Sequence, residues 1–246
     1  MYETLKKKFG QNFLIDDNIL KKICGLISNK NLDILEIGPG DGRLTEYILK
    51  FEPNKINLVE IDKDFIPLLH AKYGKYSKIK IINQDILNYP LIENFDLIIS
   101  NLPYNISSQI LAKLCLLDYL PTNLILMFQK EFADRLINKE LNSLNSLVNC
   151  FYTINSRFNV SKNCFRPIPK VDSTVLSFKK KKNILLKKIE VNKFIEFKRI
   201  LFSQKRKTLK KILKDYNFNK DNFDLSMRVE DISLHQLIKI FREINL

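Results

Sequence analysis

The sequence has few residues that bind metals or form disulfide bonds, and it has no long apolar run. Its 246 residues include four cysteines and two histidines. The cysteines are scattered singly, which argues against a zinc site or a disulfide framework, and each is expected to be a small core residue. No apolar run approaches the roughly 18 to 20 residues that span a bilayer, and no apolar signal stretch follows the basic start. We therefore expect a cytoplasmic protein without a metal ion or a membrane partner.

Acidic side chains are also scarce. Against 41 Lys and Arg stand 27 Asp and Glu, a net charge of +14. The excess is concentrated between Lys179 and Lys214, where 15 Lys and Arg accompany two acids and leave a net +13. A charge run can be a solvated helix surface, but a charge concentrated in one segment is typical of a surface that docks phosphates. A polyanion is the expected partner.

Short apolar runs rich in Ile, Leu and Val alternate with amphipathic stretches of helix length. The strand-like runs are Asp33–Ile37, Ile56–Ile61, Ile79–Ile82, Phe95–Ser100 and Asn123–Phe128. The alternation predicts an α/β, Rossmann-like fold with a parallel sheet between helices. Two further stretches, Val148–Phe158 and Ser173–Lys179, are expected to complete the sheet as an antiparallel edge.

Beyond Lys182 only helical periodicity remains, with apolar residues such as Phe194, Phe197 and Leu201 on one face. This change predicts two domains. A catalytic domain over residues 1–182 is followed by a small helical domain over residues 183–246, with the lysine-rich stretch 179–183 as the linker.

A glycine-rich turn follows the first strand-like run, at Gly38-Pro39-Gly40-Asp41-Gly42. Glycines let the chain turn tightly there and let a ligand approach the backbone. Nicotinamide and flavin enzymes use such loops too, but their fingerprint places the third glycine three residues after the second instead of two. The shorter form, preceded by an acid such as Glu36, is commoner in methyltransferases.

Two acids follow the next strand-like runs. Glu60 lies about 20 residues beyond the loop, where an acid can accept hydrogen bonds from ribose hydroxyls. Asp85 follows the third run and can accept from an adenine amino group. Together they predict a nucleoside site at the carboxyl edge of the sheet. Either a nicotinamide nucleotide or S-adenosylmethionine could be the cofactor of such a site.

The tetrapeptide Asn101-Leu102-Pro103-Tyr104 directly follows the fourth run. The amino nitrogen of a base is a poor nucleophile, because its lone pair is delocalised into the ring. The Asn101 side-chain oxygen and the Leu102 carbonyl can accept its two hydrogens and direct the lone pair at a sulfonium methyl group. Pro103 favours an extended backbone, and Tyr104 can stack on a base that has swung out of its helix. This favours S-adenosylmethionine as the cofactor.

These motifs resemble the ribosomal RNA adenine N6-dimethyltransferases, in particular the bacterial small-subunit branch. The resemblance runs from Lys7-Lys8-Phe9-Gly10-Gln11-Asn12-Phe13-Leu14 to the last helix. It implies a class I methyltransferase sheet and a Gly-Gln-Asn-Phe-Leu stretch that closes over the cofactor. The cofactor-binding residues that it implies are Gln11, Asn12, Leu14, Gly38, Gly40, Glu60, Ile61, Asp85, Ile86 and Asn101.

The resemblance also assigns residues to the RNA. Phe165, which opens Phe165-Arg166-Pro167-Ile168-Pro169-Lys170-Val171-Asp172-Ser173, is similar to the family's second aromatic, which packs on the target base opposite Tyr104. From its residue type alone Phe165 would be a core side chain. The residues that resemble those holding RNA in the helical domain are Lys205, Arg206, Lys207, Lys210 and Arg228. Asp41 departs from the family, which has a small or apolar residue there.

The expected reaction is direct methyl transfer to N6 of two adjacent adenines near the 3′ end of small-subunit ribosomal RNA, by a monomer acting on the 30S pre-ribosomal particle. Three alternatives remain. One is a large-subunit adenine methylase of the macrolide-resistance type, and another is a ribosome-assembly factor that binds RNA without chemistry. The third is a nicotinamide-dependent oxidoreductase.

Overall fold

The protein was analysed as a computed structural model, and the structure describes residues 12–244. The chain divides into two compact units. The first contains the described residues up to Ala133 together with Ile154–Lys180, and the second contains Asp134–Thr153 and the residues from Lys181 onwards. The last of the three crossings between the units, after Lys180, is close to the boundary predicted after residue 182. The segment 134–153, which the sequence analysis assigned to the first domain, belongs to the second unit.

Seven strands of the described chain form one mixed sheet in the order β4-β3-β2-β5-β6-β9-β7, and β1 pairs with β8 in a second, two-stranded sheet. Strands β2 to β6 are parallel to one another, and β9 is antiparallel to β6. The strands are β1 Phe13–Leu14, β2 Asp33–Ile37, β3 Lys55–Glu60, β4 Ile79–Asn83, β5 Leu97–Asn101, β6 Asn123–Gln129, β7 Tyr152–Val160, β8 Phe165–Arg166 and β9 Ser173–Lys180. The predicted α/β fold and its five parallel strands are confirmed.

The α-helices of the described residues alternate with the parallel strands and then dominate the second unit. They are α1 Asp17–Cys24, α2 Arg43–Leu49, α3 Ile66–Tyr73, α4 Ser107–Cys115, α5 Lys130–Ile137, α6 Ser143–Phe151, α7 Val191–Ser203, α8 Leu209–Ile212 and α9 Leu234–Ile244. Within the described chain, none of them is long and apolar enough to cross a membrane.

The predicted strand Val148–Phe158 was wrong in its first four residues. Residues 148–151 are the end of α6, and β7 begins at Tyr152. Asn142 caps α6 by accepting hydrogen bonds from the backbone of Leu144 and Asn145, and the Asn145 side chain accepts from the Asn142 backbone in return. This capping box starts a helix whose apolar residues face the helices α7 and α9 of the second unit. A short apolar run cannot be distinguished from a buried helix segment by periodicity alone.

The order of the strands determines where a ligand can bind. The chain leaves β2 towards β3 and β4 on one side, and later returns to β5 and β6 on the other. In open α/β sheets, ligands bind beyond the carboxyl ends of the strands at such a switch point. Strands β2 and β5 are almost entirely buried, so the central strands form a rigid base beneath this edge.

Candidate active site

A cavity opens at the carboxyl edge of the sheet in the first unit. Residues from the ends of β2, β3 and β5, from the turn after β4 and from β1 line it. The predicted site residues among them are Asn12, Leu14, Gly38, Gly40, Glu60, Ile61, Asp85, Ile86, Asn101, Leu102, Pro103 and Tyr104. The structure therefore brings these twelve residues together, while Gln11 lies outside the described residues.

The glycine loop has a backbone that requires glycine. Gly38 and Gly40 have φ angles of +66° and +56°, in the left-handed region that other residues rarely adopt. A Cβ atom added to Gly38 would meet no heavy atom within 4 Å, whereas one added to Gly40 would lie 2.5 Å from Cε1 of Phe13. The absent side chain of Gly38 thus leaves open space beside the backbone, and that of Gly40 lets Phe13 close against the loop.

Glu60, at the end of β3, holds the glycine loop against this strand. Its Oε2 accepts a hydrogen bond from the Gly40 amide at 2.9 Å, and its Oε1 accepts one from the Asp62 amide at 2.8 Å. Burial raises the pKa of this carboxyl, and the two backbone donors act against that rise. Each carboxylate oxygen has a second lone pair, so Glu60 can also accept from a ligand.

Glu36 lies deeper in the same wall. It is 1% exposed, and its Oε2 accepts a hydrogen bond from Thr45 Oγ1 at 2.6 Å. Burial raises its pKa to about 8, the Thr45 bond lowers it, and the nearby acids Glu60 and Asp41 raise it further. A buried carboxyl among other acids favours a ligand with positive charge. From the sequence, Glu36 was interpreted only as the acid that precedes the glycine loop.

The adenine side of the predicted nucleoside site is formed by the ends of β3 and β4. Asp85 Oδ1 accepts a hydrogen bond from the Leu87 amide at 2.9 Å, so the turn after β4 is held by its own acid. Ile86 is buried beside it, whereas Ile61 is 42% exposed where it lines the cavity. An exposed isoleucine at a cavity wall offers an apolar surface for a flat ring.

Asn101 ends β5, and its orientation follows from its partner. Its Nδ2 donates a hydrogen bond to the backbone carbonyl of Asn12 at 2.9 Å. Because a carbonyl oxygen only accepts, the amino group of the amide must face Asn12. The amide oxygen, Oδ1, is thereby directed away from Asn12 and can act as an acceptor in the cavity, next to the buried Leu102.

Tyr104 is half-buried at the cavity. Its hydroxyl group lies 2.6 Å from Ser173 Oγ, and its carbonyl accepts a hydrogen bond from Ser107 Oγ at 3.2 Å. Burial raises the pKa of the phenol, and the Ser173 bond lowers it. The ring is therefore a neutral aromatic surface.

Phe165 is not brought to the cavity. It is 0% exposed and belongs to the core of the first unit, where its strand β8 pairs with Leu14 of β1. Its predicted contact with a target base stays a prediction.

The five predicted RNA-binding residues lie in the second unit. Lys205, Arg206, Lys207, Lys210 and Arg228 are all exposed. They are brought together by a bridge between Thr208 and Arg228 and by backbone hydrogen bonds from Leu209 to Met227 and from Lys210 to Leu225. We call these five residues the basic surface.

Two residues at the site were not predicted from their own chemistry. Phe13 is packed against the glycine loop and contacts the ring of Phe65 at a centroid distance of 5.3 Å. From the sequence, Ser173 was only the first residue of a predicted strand and the last residue of the stretch that begins at Phe165. Only its place in that stretch could have indicated Ser173, because no local sequence pattern connects it with Tyr104. Among the described residues, no group of three or more His, Cys, Asp or Glu side chains is placed to hold a metal ion.

The mixed sheet and the cavity at its switch point are those of a class I methyltransferase. A solved dimethyladenosine transferase from Plasmodium falciparum superimposes with a TM-score of 0.84, at 28% identity, over 95% of this chain and 97% of that one. The family model described as "Ribosomal RNA adenine dimethylase" matches residues 2–246. The chain belongs to the ribosomal RNA adenine dimethylase family and is an enzyme of that family.

Curated relatives match over nearly their full lengths. A protein of Pelagibacter ubique named "Ribosomal RNA small subunit methyltransferase A" is 39% identical over 99% of this chain and 98% of its own. A protein of the same name from Mycoplasma mycoides is 40% identical over 96% of both chains. The solved 23S rRNA methyltransferase ErmE shares the fold, with a TM-score of 0.74 at 21% identity over 95% of this chain and 100% of that one.

Proposed function

We propose that the protein transfers methyl groups from S-adenosylmethionine to N6 of two adjacent adenines near the 3′ end of small-subunit ribosomal RNA. The observation that carries the proposal is the fixed amide of Asn101, whose amino group is held by the Asn12 carbonyl at 2.9 Å. An amide held in this way leaves its Oδ1 to accept a hydrogen bond from a substrate amino group at the cavity. The two curated relatives, named for the small subunit, favour that RNA.

The residues of the cavity fit S-adenosylmethionine. The open space beside Gly38 leaves room for the methionine part against the backbone. Glu60 has lone pairs left for the ribose hydroxyls, and Asp85 with Ile86 would hold the adenine. A positively charged ligand would favour the ionised form of the buried Glu36 carboxyl. When bound, the cofactor would supply an electrophilic methyl group on a sulfonium.

The protein contributes positioning and polarisation to this reaction. Asn101 Oδ1 and the Leu102 carbonyl accept the two amino hydrogens of adenine, which returns electron density to the nitrogen lone pair. Tyr104 stacks on the base and holds the nitrogen in line with the methyl group. With the cofactor held in the cavity, the new C–N bond would form as the methyl group leaves the sulfonium, and the nitrogen would release one proton to solvent. A second round on the same nitrogen gives dimethyladenine.

The proposed partner is the 30S pre-ribosomal particle, bound by a cytoplasmic monomer. The exposed cations of the basic surface support a contact with RNA phosphates. The main alternative is methylation of large-subunit RNA, the activity in the name of ErmE. The likeness to ErmE concerns the fold, whereas the curated relatives support the small subunit. Mass spectrometry of both RNAs after incubation with protein and cofactor separates the two.

Replacement of Asn101 by Ala tests the proposal. We expect at least a 100-fold loss of tritium transfer from labelled S-adenosylmethionine to undermethylated small subunits, because one acceptor of the amino group is removed. Asn105→Ala is the matched control, since Asn105 is exposed and is not among the lining residues. Undiminished turnover of Asn101→Ala would contradict the assigned role, and an absence of transfer by the wild-type protein would contradict the function itself.

A further inference from the structure

The hydrogen bond between Tyr104 and Ser173 joins two parts of the chain that the proposed reaction has not yet connected. The two oxygen atoms are 2.6 Å apart, although the residues are separated by 69 positions. Ser173 is 0% exposed. A buried hydroxyl group that lacked a partner would be costly, so each of the two groups depends on the other.

Ser173 is a rigid anchor. It opens β9 and pairs with Gln129 of β6 in the antiparallel part of the sheet. The flanking residues are fixed as well, because the Lys130 amide donates to the Asp172 carbonyl at 2.9 Å and Thr174 Oγ1 donates to Asn159 Oδ1 at 2.9 Å. Its hydroxyl group is therefore held by the sheet itself.

Tyr104 is held at its other end too. Its backbone carbonyl accepts a hydrogen bond from Ser107 Oγ, and Pro103 restricts the backbone before it. The phenol oxygen lies on the long axis of the ring. A bond to that oxygen fixes the direction in which the ring points and still permits rotation about its axis. The two attachments thus fix the position of the ring and the direction of its long axis relative to Asn101.

We propose that Ser173 is a positioning residue, which fixes the Tyr104 ring so that a base stacked on it presents its amino group to Asn101 and Leu102. The inference rests on the proposed function, because it assumes a base on Tyr104. It also gives a role to the last residue of the stretch Phe165–Ser173, whose first residue is buried in the core. The serine acts through the tyrosine and does not touch the substrate.

A positioning role predicts a specific pattern of kinetic changes. In Ser173→Ala we expect kcat for methyl transfer to small subunits to fall about 10- to 100-fold, since a small misplacement of reacting groups costs that much. The Kd for S-adenosylmethionine should change by less than about twofold, because the cofactor walls are untouched. Tyr104→Phe keeps the ring and removes the same hydrogen bond, so we expect a similar loss.

The double variant Ser173→Ala/Tyr104→Phe distinguishes positioning from two independent effects. If the bond acts as a unit, the loss of the double variant should equal that of either single variant. A loss of kcat in the double variant equal to the product of the two single losses would overturn the proposal. Ser177→Ala is the matched control, because it removes another hydroxyl group of β9, one that is bonded to Arg157 Nε at 2.6 Å, and it should retain wild-type kcat.

Folding and function can be separated in this experiment. Activities are measured well below the melting temperature of each variant, and Tyr104→Phe remains informative if Ser173→Ala does not fold. Wild-type kcat in either folded single variant would overturn the positioning role while the proposed function stands. Failure of the wild-type protein to transfer methyl groups would contradict the proposed function instead.

Discussion

At the scale of single residues, the site depends on groups whose orientation is set by neighbours that do no chemistry. The Asn12 carbonyl turns the amide of Asn101, and Thr45 holds one oxygen of Glu36. Asn12 lies 89 positions from the residue that it orients, and Thr45 lies nine positions from Glu36. A substitution of Thr45, which is not among the lining residues, should therefore change the geometry of the site without removing a group of the cavity wall.

Glu36 gives a prediction about pH. Burial raises its pKa from 4.5 to about 8 in the folded protein. The unfolded chain ionises near the ordinary value, so the contribution of Glu36 to stability is fully present below about pH 4.5 and is lost as the pH rises to about 8. We expect the melting temperature of the cofactor-free protein to fall over this range more steeply for the wild type than for Glu36→Gln.

Thermal unfolding between pH 5 and pH 8 checks this expectation. Glu46→Gln, which removes an exposed carboxyl group from α2, is the control for the loss of an acid. Identical pH curves for the wild type and Glu36→Gln would show that Glu36 does not carry the effect.

At the scale of elements, the turn between β2 and α2 carries the cofactor site. Its glycines serve different purposes. The Gly38 position faces open space, whereas a Cβ atom on Gly42 would lie 2.6 Å from Cε2 of Tyr73. The Tyr73 hydroxyl group donates to the Gly42 carbonyl at 2.7 Å, which fixes the start of α2 against α3. One glycine leaves room for a ligand and the other for a neighbouring helix.

Alanine substitutions should separate these two purposes. Both positions have a positive φ, of +66° at Gly38 and +83° at Gly42, so each alanine should cost roughly 1 to 2 kcal/mol of strain. Gly38→Ala should also weaken S-adenosylmethionine binding by tenfold or more, because the methyl group points into the cavity. Gly42→Ala should lose more stability, because it also displaces Tyr73, and should lose less affinity.

Isothermal titration with the cofactor and thermal unfolding measure the two effects side by side. Each variant is the control for the other, because both alanines introduce a similar backbone strain. Equal losses of affinity in both would mean that backbone strain alone weakens binding.

At the scale of the whole molecule, the two units carry different chemistry. The lining of the cavity belongs to the first unit, and the basic surface belongs to the second. The second unit has its own core, in which Phe241 packs against Phe194 and Phe197 at centroid distances of 5.2 and 5.6 Å. Binding of the cofactor and binding of RNA should therefore be separable by mutation.

Neutralisation of the basic surface tests this separation. Replacing Lys205, Arg206 and Lys207 by Gln should weaken binding to small subunits and reduce the slope of log K against log salt by about 2 to 3, because each lost phosphate contact removes about 0.9. The Kd for S-adenosylmethionine should not change. The control is a triple Gln variant at Lys30, Lys63 and Lys75, which are exposed in the first unit. An equal loss of RNA binding in the control would indicate that only the total charge matters.

Much of the fold could be predicted because its signals are local. Runs of Ile, Leu and Val marked the parallel strands, and the acids and glycines at their ends marked the site, since parallel strands end at a common edge. The start of β7 was misplaced, because the residues before it are apolar in a helix as well as in a strand. The contribution of segment 134–153 to the second unit depends on packing against distant helices, which periodicity does not encode.

The sequence by itself determined the class of reaction and indicated twelve residues of the cavity wall, because residue types and their spacing carry the chemistry of acceptors, glycine turns and acids. Only the tertiary structure decided how these groups are held. It placed Asn12 against Asn101, Ser173 against Tyr104 and Phe13 against Gly40, and it buried Phe165. These contacts join residues far apart in the chain. They exist only once the sheet has formed, because the pairing of its strands brings the distant segments together.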